Sequence, residues 1–214
     1  MLLASALALA GGCGGSAHPS APTGLKLQRE HMAAMAATLQ SLRAVTAQEV
    51  SASKAAWPAI AHGLPQSPTP FSRQAIGAAR SKAQAIALPP LLHEGQALRL
   101  MGPAAQIAGL YRSYLLLAMR GWRLTEAAIE QIQAGAPPSA RFARENVVLY
   151  IESIYDGHFT LAQIGKKLID GYAELGGAKA FGKTLTQAQV DALAGAYSEA
   201  ADQLHPHVSA RLGS

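Results

Sequence analysis

The sequence predicts an all-α protein, a bundle of four main helices with one or two short ones. Apolar residues recur three and four apart over most of the chain, which is the helical period. Short alternating β-branched runs bounded by turns, the mark of strands, do not occur. Proline and glycine gather at a few places that separate long periodic segments.

The first helix is expected from Leu25 to about Trp57. Met32, Met35, Leu39, Leu42 and Val45 form one core-facing stripe, which Val50 and Trp57 continue less regularly. Pro58 should end or kink it, because the ring removes a donor and clashes with the preceding turn. Residues 63–70 read as a loop. A weakly amphipathic, alanine-rich helix follows from Ser72 to Ala87 and closes at Pro89-Pro90, and Leu91 to Met101 suits one more short helix.

Proline favours the first helical turn, so a long helix should begin at Pro103 and end by Gly135 and Pro137-Pro138. Its segment Ile107 to Met119 is the most apolar after residue 24. Arg112 interrupts that run and Arg120 and Arg123 follow it, so it reads as a core helix, too short to span a bilayer. Ser139 is placed to cap the next helix. There Val147, Ile151, Ile154, His158, Leu161, Gly165, Leu168, Tyr172 and Leu175 alternate four and three apart, a heptad seam of the kind that packs in bundles. Gly157 is a possible bend, and Gly176-Gly177 a stop. Thr186 with Gln189 makes a capping box for the last helix, whose stripe is Val190, Leu193, Ala194, Tyr197, Ala201 and Leu204 and whose end is expected at Pro206.

Half of the residues are apolar and 14% are charged, enough for a single packed domain over residues 25–207 with a short tail at 208–214. The net charge of +5 is uneven: residues 1–123 carry eleven Lys/Arg and three acids, residues 124–214 seven and ten. Antiparallel helices from the two halves would complement one another. The alternative is a basic half that faces anionic lipid or cell-wall polymer. The basic residues are scattered and form no nucleic-acid motif, so no nucleic-acid partner is expected.

The chemistry-bearing residues form no catalytic constellation. No Glu-x-x-His or His-Glu-x-x-His occurs, and a single cysteine excludes haem attachment and cysteine-pair zinc sites, so no metal or other cofactor is expected. Of His18, His31, His62, His93, His158, His205 and His207, the last two flank Pro206 at a helix end, where imidazolium suits the negative dipole. His158 is the candidate ligand contact because it sits in the seam; a core histidine bonded to a Tyr hydroxyl or a carbonyl is the plainer alternative. Asp156 projects from nearly the opposite face. Glu145 and Glu152 share a face with Val148, Tyr155 and Phe159, but acid–base work needs one of them buried, and a surface position beside Arg141 and Arg144 is the favoured expectation.

Two letter matches lack their context. Gly177 to Thr184 has Walker spacing, but a helix precedes it where a strand is needed, so it reads as a helix–helix loop. Ser51-Ala52-Ser53-Lys54 lacks the companion motifs of penicillin-recognising enzymes. Tyr111, Tyr114, Trp122, Phe142, Tyr150, Tyr155, Phe159, Tyr172, Phe181 and Tyr197 are expected to fill the core, with a small-molecule cleft as the alternative.

The lone cysteine carries its own signal. Leu2 to Gly12 is a short apolar run ending in small residues, and Leu9-Ala10-Gly11-Gly12 leads into Cys13. This segment resembles the export signal of a bacterial lipoprotein. The resemblance implies cleavage after Gly12 and lipid attachment at Cys13, which places the protein in the bacterial cell envelope and anchors it to a membrane. Ala10 stands where leucine is commoner in that pattern. No Lys or Arg precedes the run, and a start upstream of Met1 would account for that. Residues 1–12 then form the signal, and 13–24, rich in Gly, Ser, Ala and Pro, a flexible tether. Together these features predict a non-enzymatic, lipid-anchored protein whose bundle binds or scaffolds another envelope component. A small-molecule or metal carrier between the aromatic-rich C-terminal helices is the alternative.

Overall fold

The structure is a computed structural model that describes residues 24–61, 81, 100–133 and 140–212. All its regular elements are helices: α1 (Gly24–Ala61), α2 (Pro103–Gln133), α3 (Ala140–Glu174), a single short α4 (Gly177–Phe181) and α5 (Gln187–Leu212). The all-α bundle of four long helices is therefore as the periodicity requires. The export signal with Gly12 and Cys13, the tether, the Ser72–Ala87 helix, nearly all of the Leu91–Met101 helix and the Ser139 cap lie outside the described residues.

The long helices align through specific contacts. α2 runs antiparallel to α3, since the backbone of Gly171 faces Pro103 and that of Gly157 faces Tyr114. α5 is also antiparallel to α3: Gly165 lies against Ala194, and His158 bonds the Ala201 carbonyl. α1 opposes α3 as well, because Arg29 Nε donates to the Leu175 carbonyl at 2.7 Å while Met32 reaches Gly171. That guanidinium sits where the C-terminal carbonyls of α3 concentrate negative charge. Three mutually parallel helices thus pack with one opposed helix: α2 and α5 flank α3, and α1 closes the bundle between α2 and α5. Gly102 lies against Gln28, so α2 begins beside the first turns of α1.

Most stripe residues read from the sequence are buried, together with Ile164, which lies beside the α3 seam; the side chains of Trp57, Val147 and Ile151 lie outside the described residues. Met32, Met35, Leu39 and Leu42 of α1, Ile107, Tyr111, Tyr114 and Leu115 of α2, Leu161, Ile164, Leu168 and Tyr172 of α3, and Val190, Leu193, Tyr197 and Leu204 of α5 join one core. Trp122 and Val45 form a small second cluster beside it. Among the described residues no helix is long and apolar enough to cross a membrane.

The helix ends differ from expectation at both prolines. α1 continues through Pro58 to Ala61, and α5 continues through Pro206 to Leu212. Each ring removes one bond to the residue four back. Near the end of a long helix that loss stays local and does not stop the chain from winding. The capping box forms as read: Thr186 N donates to Gln189 Oε1 at 2.9 Å, and Gln189 N donates to Thr186 Oγ1 at 3.3 Å. The Walker-like segment contains a helix of its own, α4, whose Phe181 stacks on Tyr172 at 5.0 Å. Gly176 and Gly182, at φ 103° and 54°, take the left-handed turns on either side, which glycine makes without a Cβ clash. A helix, not a strand, precedes the segment, so it lacks the geometry of a phosphate loop.

Glycine at a seam position has a packing cause. A Cβ on Gly165 would lie 3.0 Å from the Ala194 carbonyl oxygen, and one on Gly171 only 2.6 Å from Pro103 Cβ. Gly171→Ala should therefore destabilise the bundle by about 1–3 kcal/mol in urea unfolding, as overpacking does. Gly195→Ala, where nothing lies within 4 Å of the added methyl, should instead stabilise α5 by up to about 1 kcal/mol.

Candidate functional site

Glu49 is one of only three acids in the first 123 residues, and it is inside the bundle, 1% exposed. It belongs to a polar layer that crosses the core between α1, α2 and α5. α1 supplies Thr46 and Glu49, one turn apart on the same face, α2 supplies Tyr111 and Tyr114, and α5 supplies Tyr197. The Thr46 and Tyr111 hydroxyls are 3.1 Å apart, and the Tyr197 hydroxyl donates to the Leu39 carbonyl at 3.3 Å. The Tyr111 ring meets Tyr197 edge-on at 6.1 Å and Tyr114 at 6.0 Å.

The carboxyl itself is poorly served. Neither oxygen of Glu49 makes a hydrogen bond of acceptable geometry. Burial pushes its pKa up from 4.5 to about 8, and the Tyr114 hydroxyl, directed at it, pulls only slightly the other way. An unpaired carboxylate in such a place is costly, so the group keeps its proton at neutral pH. Burial likewise holds the hydroxyls of Tyr111, Tyr114 and Tyr197 protonated far above the usual phenol range, with Glu49 adding in each case. The layer is therefore a set of neutral donors and acceptors around one acid.

This layer approaches the surface between α1 and α5. Thr46 and Tyr197 line a cleft of about 160 Å³ with Ala47, Val50, Ala196 and Ala200, and Arg43 and Glu199 also border it. Beyond Arg43 the same two helices enclose a wider groove of about 520 Å³, walled by Ala33, Ala36, Ala37, Ala188, Ala192 and Leu193. Arg43 borders both, so together they form one trough along the α1–α5 seam.

The residues singled out in the sequence are placed elsewhere. His158 is half-buried on α3, its Nδ1 donating to the Ala201 carbonyl, with the His205 ring 5.3 Å away. That bond fixes the Nδ1–H tautomer in the neutral ring. Glu152 is exposed, and the Glu145 side chain lies outside the described residues. Tyr155 and Phe159, exposed at 47% and 56%, do not fill the core as expected, because they share the outward face of α3 with the exposed Glu152. Tyr111, Tyr114, Trp122, Tyr172, Phe181 and Tyr197 are core residues. His31 is buried with no partner for its Nδ1, as is Trp122 for its indole N–H. Among the described residues no three His, Cys, Asp or Glu side chains are grouped to hold a metal ion.

The chain matches no protein-family model, no curated protein and no solved structure.

Sequence reading passed over Glu49, although a signal was there. The heptad Met32, Met35, Leu39, Leu42 continues at Thr46 and Glu49 in steps of four and three, so two polar residues occupy seam positions. The apparent five-residue step from Val45 to Val50 was the trace of that substitution.

The raised pKa sets a pH dependence. Between pH 4.5 and about 8 the folded protein holds a proton that the unfolded chain has released. Stability is then fully present below pH 4.5, declines as pH rises to about 8, and is level above it, at about 1.4 kcal/mol per unit of pKa difference. Glu49→Gln mimics the protonated acid. Its melting temperature should match wild type near pH 4.5, exceed it by several degrees at pH 8.5, and lose the intervening slope.

Proposed function

We propose that the chain is a non-enzymatic envelope protein, attached to a membrane by lipid at Cys13, whose bundle holds a helix of another envelope component in the α1–α5 trough. The observation that carries this reading is the trough's lining. Ala188, Ala192, Ala196 and Ala200 recur at every fourth residue of α5, facing Ala33, Ala36, Ala37 and Ala47 of α1. A row of alanines four apart makes a shallow ridge into whose grooves a partner helix can pack at close range. From Ala33 to Val50 the trough runs about 25 Å, five helical turns of contact. Gln40, Arg43 and Gln189 at its edge offer polar groups to the rim of such an interface. The short apolar run before Cys13 and the Gly/Pro-rich segment after it support the membrane address, since two acyl chains on one cysteine anchor stably.

A photo-crosslinking residue at position 192, introduced in the native host, should capture one partner reproducibly. Ala37→Trp, on the exposed wall of the trough, should abolish capture while the protein stays folded. Undiminished capture by this variant would overturn the assignment. Cys13→Ser should release the protein from the membrane fraction and end incorporation of labelled palmitate; continued incorporation would overturn the anchor.

A second reading, a small-molecule or metal carrier with His158 as a contact, is supported by the His158–His205 ring pair. Native mass spectrometry of protein from its own host tests it: a bound species lost on His158→Ala sustains it, and empty protein removes it.

A further inference from the structure

We propose that the Glu49 layer is a binding site for a small primary ammonium, which enters by the short cleft between α1 and α5 and forms its ion pair with the Glu49 carboxylate. The carboxyl is 1% exposed, neither oxygen makes a hydrogen bond of acceptable geometry, and among the described residues no basic side chain acts on it. What it lacks is one positive charge with several N–H donors. A primary ammonium brings three donors and one unit of charge, enough for both carboxylate oxygens and the Tyr114 hydroxyl. The rings of Tyr111, Tyr114 and Tyr197 belong to the same layer, so the cation would be desolvated among aromatic side chains.

A hard metal ion fits less well. Calcium takes six to eight oxygens, usually several of them carboxylate. Here Glu49 is the only carboxylate of the layer, the Thr46 and Tyr111 hydroxyls are bonded to each other, and the Tyr197 proton is committed to Leu39.

The route is short. Thr46 and Tyr197 form the wall between the layer and the cleft, and Glu49 lies one turn beyond Thr46 on the same face of α1. The cleft's 160 Å³ equals about five water molecules, room for an alkyl tail of a few carbons against Ala47, Val50, Ala196 and Ala200. Arg43 and Glu199 at its border have opposite charges, so the entrance does not repel a monocation as a whole. This site adjoins the wider groove assigned to a partner helix but does not depend on that assignment.

Titration of the full chain with n-butylammonium chloride, by calorimetry and by thermal shift at pH 8.5, tests the proposal. Saturable binding is expected, with no comparable effect from sodium chloride, calcium chloride or tetramethylammonium, which lacks N–H donors. Since the ligand must displace the proton on Glu49, affinity should fall about tenfold per unit as pH drops below 8. Glu49→Gln should abolish binding, and Tyr114→Phe, which keeps the ring and loses the hydroxyl, should weaken it up to tenfold. No saturable binding, binding undiminished in both variants, or an equal response to sodium or calcium would overturn it.

Discussion

Everything in the bundle leans on the apolar seam of α3. α1, α2 and α5 each pack against it, running opposite to it, and Leu161, Ile164, Leu168 and Tyr172 are all nearly or fully buried there. Leucine-sized burial is worth about 1.5–3 kcal/mol per side chain, so this one row of residues accounts for a large share of what holds three helices in place. Gly157, Gly165 and Gly171 on the same helix set how near the neighbours come. The Ala194 backbone and Pro103 occupy the space that side chains at Gly165 and Gly171 would need, while Tyr114 lies in ordinary contact at Gly157. The close approach and the burial are two results of one helix surface.

The close packing gives the polar layer its properties. A carboxyl on the surface of a helix titrates ordinarily; the same carboxyl on α1, enclosed by α2 and α5, holds its proton to about pH 8. Protein interiors tolerate such a group when it can be neutral and when hydroxyls surround it. Thr46, Tyr111, Tyr114 and Tyr197 provide that surrounding, and two of them form the wall of an outward-opening cleft. A stabilising core would place leucines at these positions. Burying the acid there costs stability once it is charged, and the structure limits that cost by keeping it protonated.

Much of the fold was legible because helix and core follow from local periodicity. The apolar positions of the α3 seam from Ile154 to Leu175, the capping box at Thr186 and the start at Pro103 are each written in residues a turn or two apart, and these appear as read. The prolines misled for a tertiary reason: Pro58 and Pro206 break one bond each, but the helices containing them continue. The site was not legible in the same way. Glu49 and Thr46 are separated from Tyr111 and Tyr114 by more than sixty residues and from Tyr197 by about 150, and nothing local links them. Only the polar interruption of the α1 heptad hinted at a layer there.

The amino-acid sequence by itself determined that the fold is all-α, where its long helices lie, and which face of each turns inward, because those properties depend on spacing within one segment. The tertiary structure decided the rest. It set α1 parallel to α5, so that their alanine rows face each other across a trough, and it carried Glu49 into the core among three tyrosines. Burial and enclosure are properties of assembled helices. A carboxylate's chemistry changes with its surroundings, and those surroundings come from three segments that meet only on folding.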